Sequence, residues 1–227
     1  MNFGVLIQAR ISSKRLNAKM LMDFLGTKLV DYVYQRCKQS KKAKIVSIIT
    51  SNDATDDQLA EYCYNQKINV FRGNLNNVLM RYVDASKKLE LDYVVRVCGD
   101  SPFVDVNIID EMVSLAESSP ELDYIACDKT KILWGLDSEL IKVKTLNSLL
   151  NKRLDDQDLE HVTLFIRNNI EKYSHKLIKS FFPKDLVKKY KFTVDTKDDF
   201  DRCINLGRGL NGFKFSSQDI FELIHRL

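Results

Sequence analysis

The sequence predicts an α/β protein with a doubly wound, mostly parallel β-sheet. Up to about residue 127, apolar runs of strand length alternate with stretches of helical period. This βαβα rhythm is typical of parallel strands covered by helices on both faces. The chain has 227 residues, of which 44% are hydrophobic, and this is enough for one large core. No linker rich in proline, glycine or serine divides it, so we expect a single domain over residues 1–227.

The first strand and the first helix show the two patterns plainly. Residues 3–9 (FGVLIQA) form a short apolar run, which predicts a strand, whereas Val30, Val33 and Cys37 fall on one face of a helix over residues 29–40. The elements that follow are a strand over 44–50, a helix over 56–66, a strand over 68–73, a helix over 76–89 opened by asparagine caps, a strand over 92–99, a helix over 107–118 and a strand over 122–127.

After residue 128 the rhythm changes. Two stretches are predicted to be partly helical, two to be late strands and two to be closing helices. In chain order these are the stretches 138–153 and 158–169, the strands 175–182 and 191–195, and the helices 197–210 and 217–227.

Composition and charge argue against several functional classes. No apolar run reaches membrane-spanning length and the N-terminus does not have the order of a signal peptide, so we expect a cytoplasmic protein without a membrane partner. The net charge is +4, and the basic stretch 38–44 has no interleaved aromatic residues, so no nucleic-acid partner is expected. Five cysteines without a CxxC pair predict reduced thiols, although Cys98 leaves a catalytic thiol as an alternative.

A basic loop follows the first predicted strand. Its guanidinium, ammonium and hydroxyl groups are suitable phosphate ligands, but the segment is not a P-loop because GxxxxGK[ST] is missing. The residues concerned are Arg10, Ser12, Ser13, Lys14, Arg15 and Lys19. The composition fits a solvent-exposed loop that binds no ligand equally well. The position directly after a strand favours phosphate binding.

Two carboxylates lie at the ends of separate predicted strands. Asp100 comes after the strand over 92–99 through a turn at Gly99, and Asp195 ends the predicted strand over 191–195. In an open parallel sheet, ligands bind outside the carboxyl ends of the strands, so both should lie near the basic loop. One reading makes each Asp a cap of the next turn or helix. The other makes them a shared Mg²⁺ site, since Mg²⁺ takes one or two carboxylates plus substrate oxygens.

Six motifs in a fixed order resemble a known family. They are IQARISSKRLNAKML, FRGNLNNVLMRY, VVRVCGDSPFVD, GLDSEL, EHVTLFIR and TVDTKDDF, and they span residues 7–200. In this set the chain resembles the cytidylyltransferase family that includes the spore-coat polysaccharide biosynthesis F-type proteins. It is similar, more distantly, to 3-deoxy-manno-octulosonate and acylneuraminate cytidylyltransferases. The resemblance implies a nucleotide-diphospho-sugar-transferase-like fold and Mg²⁺-dependent transfer of a nucleotidyl group from CTP to a sugar or sugar-phosphate acceptor, with a homodimer possible.

The same resemblance implies roles for individual residues, which form three groups. The nucleotide side comprises Gln8, Ala9, Arg10, Ser13, Arg15, Lys19, Arg72, Arg81 and Gly99, of which Arg15 and Lys19 act with Asp100 in catalysis. The metal is assigned to Asp100 and Asp195. The acceptor side comprises Asp137, Glu139, Glu160 and His161, to which spacing alone gives no role.

The chain departs from the family in the first loop, and two other functions stay open. Members usually have Pro and Gly where this chain has Asn17 and Ala18, so we expect a less rigid loop. A glycosyltransferase on the same fold is one alternative, although Pro102 spoils a DxD-type match at Asp100. A non-catalytic nucleotide-binding protein is the other.

Overall fold

A seven-stranded sheet lies at the centre of the fold. The computed structural model describes residues 1–13, 15–179 and 182–226. The strands are β1 (Phe3–Gln8), β2 (Asp23–Phe24), β3 (Thr27–Lys28), β4 (Ile45–Ser51), β5 (Val70–Gly73), β6 (Tyr93–Cys98), β7 (Tyr124–Cys127), β8 (Glu139–Lys142) and β9 (His175–Ile178). Strands β2 and β3 form a separate antiparallel pair, and the other seven form the sheet in the order β5-β4-β1-β6-β8-β7-β9.

Ten α-helices accompany these strands in the described part of the chain. They are α1 (Leu29–Cys37), α2 (Asp57–Asn65), α3 (Val78–Lys88), α4 (Val106–Ser118), α5 (Val143–Leu149), α6 (Asp156–His161), α7 (Leu164–Asn168), α8 (Lys184–Lys189), α9 (Lys197–Gly207) and α10 (Ser217–Arg226). Together with the sheet they confirm the α/β fold class, and helices pack on both faces as predicted.

The sheet is mostly parallel, as the sequence predicts. Strand β1 pairs in parallel with β4 on one side and β6 on the other, and β5 and β9 also join parallel neighbours. Strand β8 alone runs against its neighbours β6 and β7 within this sheet. The chain leaves β1 toward one edge and later returns to its other side at β6. This change of direction opens a crevice at the carboxyl ends of these two strands.

The core consists of two apolar layers, one on each face of the sheet. Along β1, Val5 and Ile7 belong to one layer and Leu6 to the other, which is the alternation that a strand imposes. Helices α1, α2, α4, α9 and α10 contribute to the first layer, and α3, α5 and α7 to the second. The strands are therefore covered on both sides, and their ends remain accessible.

Two predicted elements in the second half are corrected. Residues 139–142 form β8, not the start of a helix, because Leu140 and Ile141 alternate between the two core layers as strand residues do. Residues 191–195 form no strand of the sheet, because loops hold this segment, and its β-bridge joins Lys191 to Trp134.

Two predicted elements extend past the described residues. The predicted strand over 175–182 includes residues 180 and 181, and the last helix includes residue 227, all three of which lie outside the described residues. Within the described ranges, no helix is long and apolar enough to cross a membrane.

Candidate active site

The candidate site lies where β1 and β6 end side by side. Gln8 is the register partner of Cys98, and the Gly99 N–H donates to the Gln8 carbonyl at 2.8 Å. A Cβ at Gly99 would lie 3.0 Å from that carbonyl oxygen and 3.1 Å from both Ala9 Cβ and Met20 Sδ. The backbone therefore approaches this strand end closely, and Asp100 follows at the edge of the crevice.

A hydrogen bond to the backbone of Asp100 places Asp195 at the same edge. The Val194 N–H donates to the Asp100 carbonyl at 2.8 Å, and the Phe192 N–H donates to the Trp134 carbonyl at 2.7 Å. Asp195 thus reaches the site on an extended segment held by loops. The sequence correctly predicts that Asp195 lies near Asp100. The strand over 191–195 that the sequence predicts to carry Asp195 is not formed.

Lys19 lies between the two carboxylates. Its Nζ is 2.8 Å from Asp100 Oδ2 and 3.9 Å from Asp195 Oδ1, and it donates to the Val194 carbonyl at 2.6 Å. The Lys19 side chain is only 9% exposed, so this ammonium is strongly constrained in position. The sequence predicts a basic loop facing acidic turns, and the structure brings Lys19, Asp100 and Asp195 together.

Gly135 packs closely against the extended segment that carries Asp195. It has φ +98°, and a Cβ there would lie 2.6 Å from the Phe192 carbonyl carbon. Gly135→Ala should therefore lower the free energy of unfolding by about 3 kcal/mol, through a left-handed backbone and a clash with main chain. Chemical denaturation measures this loss. The control is Gly212→Ala, at φ +53° with nothing within 4 Å, where strain alone should cost about 1 kcal/mol. Equal losses in the two variants would contradict the role of the contact with Phe192.

The basic loop forms one wall of a cleft of about 420 Å³. Arg15 pairs with Asp195 at 2.7 Å, and its side chain is 64% exposed, so the guanidinium can exchange this partner for a ligand. Of the predicted nucleotide and phosphate residues, the cleft is lined by Gln8, Ala9, Arg10, Ser12, Ser13, Arg15 and Lys19. Lys14 lies outside the described residues.

Ala18 adopts a left-handed backbone, with φ +51° and ψ +23°. This conformation favours glycine, the residue that the family usually has there, and costs an alanine roughly 1–2 kcal/mol. Ser12, in the same loop, is not among the described residues with positive φ, so its backbone conformation does not require glycine.

Arg10 joins the predicted nucleotide and acceptor sides. Its Nη2 is 2.5 Å from Glu160 Oε1, and Glu160 and His161 line the same cleft as the basic loop. The structure thus brings these two predicted acceptor residues to the cleft, together with Arg10.

A second cavity of about 250 Å³, here called the acceptor pocket, adjoins the cleft. Arg96, Cys98, Asp100 and Asp195 line both. Asp137 also lines the acceptor pocket, where it pairs with Lys129 and accepts the Gly135 N–H at 3.2 Å. The two carboxylates around Lys19 therefore lie at the junction of two spaces, an arrangement suited to a reaction between two bound molecules.

Glu139 is at the edge of the acceptor pocket but is occupied by protein partners. It is 2% exposed, and its oxygens accept from Arg96 at 2.8 Å, Thr163 at 3.0 Å, Arg167 at 3.3 Å and the Tyr124 hydroxyl. Burial raises the pKa of a carboxyl, but the cations Arg96, Lys129 and Arg167 outweigh it and lower the pKa of Glu139 to about 2. The geometry gives Glu139 a supporting role in positioning Arg96.

Arg72 and Arg81 are not on the wall of the cleft, contrary to the sequence-based prediction. Arg81 is fully buried and donates to the carbonyls of Asn74 and Leu75, and Arg72 donates to those of Ser51 and Asp53. Both guanidinium groups thus donate hydrogen bonds to backbone carbonyls of the protein. Arg81 still acts near the site, because Leu75 is also the backbone partner of Arg10 at 3.5 Å.

The donor set fits a divalent cation, and the thiol does not fit a nucleophile. Asp100 and Asp195 both approach the Lys19 ammonium, so their oxygens reach one common cation, and Mg²⁺ would take its other ligands from phosphates and water. No cluster of three or more metal-ligating side chains occurs among the described residues. Burial raises the pKa of the Cys98 thiol, which disfavours the thiolate.

Sequence reasoning missed several residues at the junction. Arg96 lies between Val95 and Val97 in a buried strand, and a cation in such a run is a signal that could have identified it. Lys129, Trp134 and Lys191 also line the acceptor pocket, but no spacing in the sequence connects them.

The comparisons with known proteins point in one direction. A family model described as "Cytidylyltransferase" matches residues 4–223. The chain is 33% identical over 202 residues to the spore coat polysaccharide biosynthesis protein SpsF of Bacillus subtilis, a match that covers 86% of this chain and 82% of that protein.

Solved structures agree with these matches. A cytidylyltransferase from Leptospira borgpetersenii has a TM-score of 0.92 and 28% identity, covering 100% of this chain and 94% of the other. CMP:2-keto-3-deoxy-manno-octonic acid synthetase complexed with CTP has a TM-score of 0.70 at 15% identity, covering 92% and 99%, and supports the fold alone. The fold is that of the nucleotide-diphospho-sugar transferases, as predicted from the motifs.

Proposed function

Since this chain belongs to the cytidylyltransferase family, we propose that it transfers a cytidylyl group from CTP to a sugar or sugar-like acceptor. The product enters the synthesis of a polysaccharide or glycan, in keeping with the name of the B. subtilis relative. The reaction takes place in the cytoplasm. The observation that carries this proposal is the position of Lys19 between Asp100 and Asp195, at the junction of the cleft and the acceptor pocket.

The proposal gives each of the two substrates a cavity of its own. CTP occupies the cleft along the basic loop, and the acceptor occupies the acceptor pocket. Glu160 and His161 then lie on the nucleotide side, and not on the acceptor side that the sequence predicts for them. An acceptor oxygen attacks the α-phosphorus and forms a P–O bond, and the bond from that phosphorus to the oxygen shared with the β-phosphorus breaks, so that pyrophosphate leaves. When the attacking group is a hydroxyl, its proton passes to solvent. Such a reaction needs positioning and positive charge more than covalent help from the protein.

The side chains of the junction supply that charge. Arg15 and Lys19 stabilise the negative charge that accumulates on the departing pyrophosphate, and Arg10 contacts the triphosphate after exchanging its partner Glu160. Asp100 and Asp195 would hold Mg²⁺. When bound, the ion neutralises part of the charge on the phosphate oxygens. Arg96, held by Glu139, keeps Gln8 in place through its Nη2, 3.5 Å from Gln8 Oε1.

A pyrophosphate-release screen tests the proposal. The four ribonucleoside triphosphates are each incubated with Mg²⁺ and a panel of sugars, sugar acids and sugar phosphates. We expect release from CTP that depends on one class of acceptor. Consumption of a nucleotide-sugar without pyrophosphate would support glycosyl transfer instead. Calorimetric binding of CTP without release on any acceptor would support a non-catalytic protein.

A further inference from the structure

A third cavity, of about 700 Å³, opens beside the acceptor pocket. We call it the lysine cavity, because its walls carry four ammonium groups and two large aromatic side chains. These residues are Lys129, Lys184, Lys188, Lys191, Trp134 and Tyr190. Lys184, Lys188 and Tyr190 line neither the cleft nor the acceptor pocket.

The lysine cavity shares a wall with the acceptor pocket. Lys129, Trp134 and Lys191 line both it and the acceptor pocket, which in turn contains Asp100 and Asp195. Lys191 also pairs directly with Asp195. One molecule can therefore place an oxygen near Asp100 and another of its groups in the lysine cavity.

The charges in the lysine cavity are only partly neutralised. Lys129 pairs with Asp137 and Lys191 with Asp195. Lys184 and Lys188 are one turn apart on α8 and both line the cavity. Neither forms an ion pair within 4 Å among the described residues, although the charge of Lys184 helps to lower the pKa of Asp128 from a greater distance. Two ammonium groups on one wall without a direct ion pair attract an anion, and lysine is a common phosphate ligand.

The aromatic wall suits a sugar ring. Trp134 is 55% exposed, although a large apolar side chain is usually more buried, and it lies at the boundary between the two cavities. An indole presents an apolar face on which the C–H face of a saccharide can stack. The cavity therefore combines a stacking surface with a cationic rim.

We propose that the lysine cavity holds a negatively charged group of the acceptor. The acceptor is then an anionic saccharide whose phosphate or carboxylate lies away from the oxygen that attacks CTP. This inference rests on the proposed function, because it assigns the space beyond the acceptor pocket to the same acceptor molecule. Lys184 and Lys188 bind the anion, and Trp134 stacks on the sugar.

The fluorescence of Trp134 tests the proposal directly, because it is the only tryptophan of the chain. The intact protein is titrated with glucose 6-phosphate, with glucuronate and with neutral glucose. We expect a saturable change with at least one of the two anions and none with glucose at the same concentrations. The Lys184→Gln/Lys188→Gln variant should raise the Kd for that anion at least tenfold. The Lys87→Gln/Lys144→Gln variant removes two exposed lysines from α3 and α5 and should keep the wild-type Kd.

The outcomes separate this inference from the proposed function. No saturable response to either anion, an equal response to glucose, or an unchanged Kd in Lys184→Gln/Lys188→Gln would overturn the inference. Release of pyrophosphate from CTP in the screen would still uphold the function in those cases. Anion binding at Trp134 without any pyrophosphate release would instead refute the function, and with it the assignment of the cavity to an acceptor.

Discussion

Asp100→Asn should lower kcat/KM for pyrophosphate release by about 10²–10³-fold, the range expected when one preorganised electrostatic element of a transition state is removed. The variant keeps the shape of the side chain but loses its charge at the junction of the cleft and the acceptor pocket. Lys19 retains its contacts with the Val194 carbonyl and Asp195, so the fold should persist. Steady-state pyrophosphate release with saturating Mg²⁺, combined with thermal unfolding, measures both effects.

Two further variants define the comparison for Asp100. Asp195→Asn should cause a loss of similar size, because Asp195 approaches the same ammonium and also pairs with Arg15. Asp201→Asn removes a carboxylate from an exposed pair with Lys197 on α9 and should leave turnover unchanged. Wild-type rates in both Asp100→Asn and Asp195→Asn would refute the catalytic assignment of the two carboxylates.

Glu139→Gln should lower the free energy of unfolding by about 3–5 kcal/mol, the usual cost of removing one partner from a buried ion pair. Glu139 is 2% exposed, and the Arg96 side chain is 12% exposed. Without the carboxylate, the Arg96 guanidinium stays buried, and its Nε already has no hydrogen-bond partner among the described atoms. Urea denaturation at pH 7 measures the loss. Glu117→Gln, which breaks an exposed pair with Lys42, is the matched control and should cost at most about 1 kcal/mol.

The pH dependence of stability is an independent test of the contribution of the Glu139 carboxylate. The folded state lowers the pKa of Glu139 from 4.5 to about 2. The unfolded state therefore binds the proton more tightly, and the contribution of Glu139 is complete above about pH 4.5 and is lost as the pH falls toward 2. The wild type should lose stability more steeply than Glu139→Gln over this window. Parallel pH profiles of the two proteins would show that the carboxylate carries no such linkage.

The sequence predicts the first half of the fold well because its elements are local. Each strand there is a short apolar run and each helix an apolar face, so period and length identify them without tertiary information. The region after residue 128 depends on long-range pairing. Residues 139–142 become a strand only because β6 and β7 lie on either side of them.

The candidate site was predictable where residues follow strand ends, and not where burial decides their role. Asp100 and the basic loop lie at the predicted carboxyl edge, because parallel strands bring their ends together. Glu139 looks like a substrate ligand in the sequence, but its partners Arg96, Thr163 and Arg167 come from distant segments. The lysine cavity could not be predicted from the sequence either, because the segments around Trp134 and Lys191 are distant in the chain and meet through a single bridge.

The left-handed backbone at Ala18 places a conformational penalty one residue before the ammonium at the reacting centre. A protein engineer would find there an obvious substitution to glycine, the residue whose backbone tolerates this region best. Any gain in heat resistance from it must be weighed against turnover, because the same peptide sets the direction in which Lys19 enters the junction. One substitution at this peptide therefore tests thermal stability and turnover together.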